Sequence, residues 1–313
     1  MTWVVWRQGR SEAILVVGLL GALGLLLILT GAHMRSVFGA SHLSPCTNDA
    51  ASPPAVCGLL VGSFRQRFDG LNQLGPWLGL IPGLVGVLMA APFVLELDQG
   101  TYRLALTQSV TPRRWINTRI GLLLLGAVLC GGLMIALATW WRHPLDSLGG
   151  RIGPNEFDLE GFVPIAYTLF AAAAVLAVGT VSRRTGLAVA SGFGAYLVAR
   201  LLLRSLRQHL IPPLHALIAP PKGPYGIRHA WVISESFTDP HGHPVPNGAV
   251  GRCFGSSGDL EPGCLARHHV VSSFVYEPAS RFWSLQAIEA GIFLSLAAMS
   301  IGLAIWWFKH RLT

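Results

Sequence analysis

Six long apolar stretches constrain this chain more than any other feature of its sequence. They occupy residues 13–32, 74–93, 120–141, 162–181, 187–203 and 285–308, and the first four contain no charged residue. A helix of about 20 residues crosses the roughly 30 Å hydrocarbon core of a bilayer. Each stretch is therefore a predicted transmembrane helix, and the predicted fold class is an all-α polytopic membrane protein. The first stretch is too long for the core of a secretion signal, so we expect it to remain as a helix.

The composition agrees with a lipid-embedded chain. Charged residues make up 12% of the sequence, against about 25% in soluble domains. The net charge is +8, but the basic residues are scattered between the apolar stretches. They form no basic stripe with interleaved aromatic residues, so nucleic acid is not an expected partner.

The basic residues also predict the orientation in the bilayer. With the N-terminus inside, the inner connections carry ten basic residues in roughly fifty positions, and the outer ones carry twelve in roughly 140 positions. Lys and Arg are enriched in cytoplasmic loops. We therefore expect both termini to be cytoplasmic, with the protein in the cell membrane.

Four of the five cysteines lie in the outer loops of this predicted topology, where thiols are oxidised. Three pairings are possible, and the shorter loop closure favours Cys46 with Cys57 and Cys253 with Cys264. Free thiols or a zinc site are the alternative. Cys130 falls inside the third apolar stretch, where a small packing residue is the simplest interpretation.

The same topology divides the chain into four parts. Residues 1–12 form a predicted interfacial elbow helix, and residues 13–203 contain five spans with an outer loop at 33–73 and an inner loop at 94–119. Residues 204–284 form an outer loop domain, and residues 285–313 form the last span and a cytoplasmic tail. The outer domain is rich in Pro, Gly and His, which predicts turns and short elements without a large core.

The inner loop at 94–119 has the most informative sequence. Two carboxylates, Glu96 and Asp98, precede Gly100 and Thr101. This order predicts a helix break, with Thr101 as the N-cap of a short helix that runs towards Ser109. The alternative is an ordinary interfacial loop whose arginines only set the topology.

This loop resembles the cytoplasmic loop of ABC transporter permeases of the type-2, exporter-like class, especially small six-span actinobacterial ones. In that class an acidic-x-acidic-x-Gly-Thr element is followed by an apolar stretch, a Thr-Gln turn and a basic pair. Pro112 departs from the pattern, because many relatives have an arginine or another polar residue there. The matching residues are Glu96, Asp98, Gly100, Thr101, Leu104, Thr107, Gln108, Arg113, Arg114 and Arg119, with Tyr102 and Arg103 between them.

The resemblance implies a transport subunit that is not itself an enzyme. The loop would be a coupling helix that contacts a separate ABC ATPase, and ATP and Mg would bind to that partner. The sequence contains no Gly-x-x-x-x-Gly-Lys-Ser/Thr phosphate loop. Six spans form half of a pathway in this class, so a homodimer or a related heterodimer in the lipid bilayer is implied.

The residues before the first span predict an interfacial helix. Trp3, Trp6, Arg7 and Arg10 lie at positions i, i+3, i+4 and i+7, so they share one helical face. In the resembled family this segment is the elbow helix beside the ATPase. The alternative is a disordered start with tryptophans that anchor it to the membrane.

Two charges lie inside the predicted spans, Arg200 in the fifth and Glu289 in the sixth. Their depths match, which predicts an ion pair between the two helices. In the alternative, Arg200 extends towards water together with Arg204 and Arg207, and Glu289 lies among the lipid headgroups.

Other sequence features lead to two alternative functions. His241, His243, His268 and His269 lie in the outer loop, but their spacing fits no closed metal site. A polytopic membrane enzyme would need a site built around them. A secondary transporter would usually have inverted repeats and ionisable residues near the middle of the membrane. The substrate class expected from the apolar spans is hydrophobic or amphipathic.

Overall fold

The computed structural model describes residues 10–47, 55–101, 112–219, 227, 229–246, 250–253 and 262–311. Within these residues, six helical segments are long and apolar enough to cross a membrane, as predicted. Large apolar side chains such as Leu29 and Leu201 are each 62% exposed. Such surfaces are stable only against lipid, and the chain is therefore a polytopic membrane protein.

The described helices and strands follow one another in a simple order. The helices before the sheet are α1 (Arg10–Ala40), α2 (Ala55–Asn72), α3 (Gly75–Leu78), α4 (Ile81–Asp98), α5 (Pro112–Gly149), α6 (Val163–Ser182) and α7 (Thr185–Leu210). They are followed by β1 (Leu214–Ile218), β2 (Trp231–Thr238), α8 (Pro262–Arg267), β3 (Val271–Glu277) and α9 (Phe282–Arg311).

Helix α6 is the centre of the bundle. In the most apolar 18 residues of α6, 72% of the residues are buried. In the corresponding parts of α1, α5, α7 and α9, only 22–28% are buried. The helix is apolar on all sides, which is typical of a helix surrounded by other helices. It packs against α4, α5, α7 and α9. Its alanine run at 171–174 has small side chains, which lets neighbouring backbones approach closely.

Several helix boundaries differ from the predicted spans, because an apolar stretch indicates only the part of a helix that crosses the hydrocarbon core. Helices extend into the predicted outer loops at 33–73 and 204–284, and for the fifth span this continuation towards Arg207 is expected from its short apolar stretch. Helix α1 continues to Ala40, and most of the remainder of the first loop is α2. Helix α7 continues to Leu210 and α9 begins at Phe282. Polar side chains at the bilayer surface allow a helix to extend beyond the lipid.

The second predicted span, 74–93, also differs from the structure. Helix α3 covers only four residues, and α4 begins at Ile81 and continues to Asp98. Pro76 and Pro82 each lie in the first turn of their helices, where proline is tolerated. The spanning helix is therefore shifted along the sequence by about two turns relative to its predicted start.

Residues 211–281 contain a small antiparallel sheet that the sequence did not predict. Its order is β1-β3-β2, with Leu214 opposite Tyr276 and Trp231 opposite Glu277. Arg281 joins the sheet to α9, because its guanidinium donates to Glu277 Oε2 at 3.0 Å and to Pro212 O at 2.7 Å. The membrane-embedded part is all-α, as predicted, and the sheet lies at one end of it.

The bundle has two distinct ends. The sheet end carries the three-stranded sheet and both disulfides, and the loop end is where α4 ends, α5 begins and α6 turns into α7. At the sheet end, Cys46 is bonded to Cys57, and Cys253 is bonded to Cys264. These are the pairs that the shorter closures favour. The first disulfide attaches α2 to the segment that follows α1.

Candidate functional site

At the loop end, one ion pair joins the helices on either side of the inner loop. Glu96 near the end of α4 accepts a hydrogen bond from Arg119 near the start of α5. Both side chains are almost buried, with exposures of 12% and 9%. A charge-assisted bond at a partly buried position is stronger than one in water. It holds together the two points at which the chain leaves and re-enters the bundle.

A second carboxylate of this motif caps another helix. Asp98 Oδ2 accepts hydrogen bonds from the backbone N–H and the hydroxyl of Thr185, both at 2.9 Å. Thr185 is the first residue of α7, where backbone N–H groups lack partners within the helix. The carboxylate therefore joins α4 to the α6–α7 turn, which Arg183 completes with a positive φ of 50°.

Helix α4 ends, and the inner loop begins, at the position of the predicted helix break. Gly100 has a φ of 72°, and α4 ends two residues earlier at Asp98. The hydroxyl of Thr101 donates to Glu96 O at 3.4 Å. At the far side of the loop, the side chain of Arg114 is exposed in the first turn of α5. The predicted short helix itself falls on residues outside those the structure describes.

Other predicted site residues lie outside the described part of the chain. Backbone and side chain are both undescribed for Tyr102, Arg103, Leu104, Thr107, Gln108, Trp3, Trp6 and Arg7. Arg10 and Arg113 are placed in α1 and α5, but their side chains are not described. The coupling loop and the elbow helix therefore stay predictions.

The predicted direct pair between Arg200 and Glu289 is wrong. Arg200 Nη2 donates to Asp158 Oδ2 at 2.8 Å, and Glu289 Oε2 accepts instead from Arg207 Nε at 2.8 Å. The alternative of exposed, outward-facing side chains is also wrong, because Arg200 is 4% exposed and Glu289 is fully buried. Both side chains are buried between helices, but they are not each other's direct partners.

These residues belong to a buried charge network near the sheet end. Asp158 accepts a second bond from Arg207, which therefore bridges both carboxylates. The hydroxyl of Tyr167 donates to Glu289 and lies 3.3 Å from Asp158 Oδ1. Two guanidinium groups thus balance two carboxylates. The network joins α7 and α9 to the segment before α6.

Asp158 lies in the predicted outer connection between the third and fourth spans, and Arg207 lies in the predicted outer loop domain, although both side chains are buried. The helical spacing of Arg200, Arg204 and Arg207 was visible in the sequence, since positions i, i+4 and i+7 share one face. The fifth apolar stretch is also short by about a turn, so the sequence predicts that its helix continues towards Arg207, and α7 does continue to Leu210. Asp158 lies four residues before an apolar stretch, and no local pattern indicates that its side chain turns inwards.

A second cluster surrounds Arg142 at the end of α5. This guanidinium is 2% exposed, and donates to Asp146 Oδ1 at 3.2 Å, to Glu156 Oε1 at 3.1 Å and to Asn72 Oδ1 at 3.3 Å. Arg142 therefore connects α2, α5 and the segment 150–161. Together with the buried charge network, it makes that segment a fixed part of the bundle.

Gln286 adds an uncharged anchor that the sequence did not predict. Its Oε1 accepts from the backbone N–H groups of Phe162 and Val163, at the start of α6. Its Nε2 donates to Phe157 O and Glu160 O. Gly161, with a φ of 67°, leaves the space that this amide occupies. The side chain of Gln286 therefore satisfies four backbone groups in a buried position.

The outer-loop histidines do not converge on a common centre. Asp239 accepts hydrogen bonds from the backbone N–H groups of His241 and His243, at 2.8 and 2.9 Å. The bond from the His243 backbone contributes most to lowering the pKa of Asp239. His268 instead lies near Cys253 and Cys264, with the ligand atoms within 4.8 Å. Those two sulfurs are joined in a disulfide, and metals bind the thiolate form.

Comparison with protein families identifies the class of this bundle. The family model described as ABC-2 membrane transporter related matches residues 17–207, well over half of the chain. The chain belongs to this family. The match extends from α1 to the end of α7 and includes the loop-end motif, Asp158, Arg200 and Arg207. No curated protein matches the chain, and no solved structure does.

Proposed function

We propose that the protein is the membrane-spanning permease subunit of an ABC exporter, driven by ATP hydrolysis on a separate nucleotide-binding subunit. The family match at residues 17–207 carries this proposal. Two copies, or one copy and a related chain, would form the pathway for a hydrophobic or amphipathic substrate. Both termini and the loop end would face the cytoplasm of the cell, and the sheet end would face outwards.

The contacts at the loop end support a role in transmitting movement. The Glu96–Arg119 pair fixes the two ends of the inner loop relative to each other. Asp98 connects the same region to the first turn of α7. A push on the loop by a closing ATPase dimer would therefore move α4, α5 and α7 together. Rigid-body movement of packed helices is a common way to produce alternating access.

A secondary transporter shares one feature with this structure, which is ionisable side chains buried between helices. Here two guanidinium groups and two carboxylates are paired with each other. A balanced, hydrogen-bonded network of this kind suits a fixed joint between helices. The ABC permease is therefore the function that we retain.

The proposal is tested by co-purification with the ATPase encoded nearest to it, followed by ATPase activity in lipid nanodiscs. Replacing Arg114, an exposed residue beside the loop, by alanine is expected to weaken the complex and lower its ATPase activity severalfold. Arg267→Ala is the matched control, because Arg267 is exposed at the sheet end. Absence of a stable complex under every nucleotide condition would refute the proposal.

A further inference from the structure

A cavity of about 420 Å³ lies at the sheet end of the bundle, between α2, the end of α5 and the residues around the start of β2. One wall is a face of α2 made of Cys57, Gly58, Val61, Gly62 and Arg65. Each of these residues lies three or four positions from another member of the set, so they form one continuous stripe of the helix. The small residues in this stripe leave the space, and a Cβ added to Gly62 would meet no atom within 4 Å.

The opposite walls come from two distant parts of the chain. Leu148 at the end of α5 forms one of them. Ile227, which precedes β2, forms the other together with Val232 at the start of β2. The disulfide between Cys46 and Cys57 borders the cavity and holds α2 in place. The walls are therefore largely apolar and already arranged by the fold. A cavity of this size lies within the range of about 300–1,000 Å³ that is usual for ligand sites.

One permanently charged side chain, that of Arg65, lines the cavity. Arg65 Nη2 donates to Leu148 O at 2.8 Å, and the other N–H groups of Arg65 have no partner among the described residues. No carboxylate is found among the described residues that line the cavity. A guanidinium fits carboxylate and phosphate groups with two parallel hydrogen bonds. The site thus combines one cationic side chain with largely apolar walls.

We infer that this cavity binds an anionic phospholipid, with its phosphate on Arg65 and acyl chain carbons against Val61, Leu148 and Val232. The apolar walls favour a lipid over a free anion, since inorganic phosphate would leave them uncovered. The arginine favours an anionic over a zwitterionic headgroup. The site goes beyond the proposed transport function, because binding at this position requires neither an ATPase nor turnover.

The test is native mass spectrometry of the full chain in detergent, titrated with phosphatidylglycerol or with phosphatidylcholine of the same acyl chains. Gly62→Leu should occupy part of the cavity, since a Cβ at this position meets no atom within 4 Å, and Arg65→Gln should remove the cation. Each change is expected to weaken phosphatidylglycerol binding about tenfold or more, Arg65→Gln because a charge-assisted bond is lost and Gly62→Leu because the new side chain occupies the space of the lipid. Phosphatidylcholine carries the same phosphate but also a choline cation, so it should bind more weakly and should lose less affinity on Arg65→Gln.

Two matched controls lie on the same helix but do not line the cavity. Gly70→Leu and Arg67→Gln alter exposed positions of α2, and both are expected to leave phosphatidylglycerol binding unchanged. Equal losses in the controls and in the cavity variants would overturn the inference, because they would indicate general surface binding. Equal affinity for the two lipids, or equally tight binding of inorganic phosphate alone, would also overturn it. None of these outcomes affects the proposed partnership with an ATPase.

Discussion

At the scale of single residues, the most consequential side chain is Arg207. It is 1% exposed, contacts two carboxylates and stacks over the ring of Phe157 at 4.1 Å. A buried ion pair often contributes little net stability relative to apolar residues of the same size. Removing one partner is different, because the remaining charges then lack compensation in a medium of low polarity. The bridging position of Arg207 makes that penalty apply to two carboxylates at once.

Replacing Arg207 by methionine is expected to lower the free energy of unfolding by about 3–5 kcal/mol, the usual cost of breaking a buried pair. Thermal unfolding in detergent measures the change. Arg204→Met is the comparison variant and should cost less, because Arg204 is 30% exposed, lies 4.0 Å from Asp158 and donates to the uncharged Asn155 Oδ1 at 2.6 Å. A second variant, Arg207→Met with Glu289→Gln, should recover part of the loss. Equal stability of Arg207→Met and Arg204→Met would contradict the importance of the bridge.

At the scale of elements, short polar contacts decide how the helices are joined. Asp98 attaches α4 to α7, and Gln286 attaches α9 to the start of α6. Helix ends leave backbone groups without partners. The Asp98–Thr185 contact is exposed, whereas the Gln286 contact with Val163 is buried, where no water replaces a lost partner. Side chains from neighbouring helices fill that role here. The joints are therefore placed at helix termini, where unsatisfied groups are available.

Replacing Gln286 by methionine removes four hydrogen bonds at once while keeping a similar length of side chain. We expect the free energy of unfolding to fall by about 2–4 kcal/mol, because buried backbone groups lose their partners. Ser284→Ala, an exposed change on the same helix, should have little effect. Thermal unfolding in the same detergent checks this, and hydrogen exchange at residues 162–163 should increase only in the Gln286 variant.

At the scale of the whole molecule, the bundle is organised around α6, and small residues control how closely its neighbours approach. A Cβ on Gly192 of α7 would lie 2.7 Å from the backbone nitrogen of Val175 in α6. A Cβ on Gly86 of α4 would lie 2.3 Å from Thr168 O. Lipid provides no hydrophobic force between helices, so close packing supplies most of the attraction. These glycines therefore determine the spacing of the central helices.

Gly192→Ala is expected to separate α6 from α7 and to destabilise the protein by about 1–3 kcal/mol, as overpacking usually does. Gly194→Ala provides the control, because a Cβ there meets no atom within 4 Å. The difference in thermal unfolding temperature between the two variants measures the effect. If the two changes had the same consequence, the packing of α7 against α6 would not depend on this contact.

The sequence by itself determined the fold class, the number of spans and the family resemblance. Each follows from local information: apolar stretches of sufficient length, and the loop motif that begins at Glu96. The sequence also places Arg200 and Glu289 within apolar stretches. It could not identify Asp158 and Arg207 as their partners, because those contacts join residues 42 to 82 positions apart.

Only the tertiary structure decided which polar residues point inwards and which helices meet. Hydropathy reports the cost of placing a residue in lipid, and that cost falls when a charge finds a buried partner. Asp158, Arg142 and Arg207 looked like solvated loop residues by this measure, yet each is almost completely buried. Gln286 was equally inconspicuous. Their roles depend on contacts with residues that are distant in the sequence, and no local sequence pattern predicts such contacts.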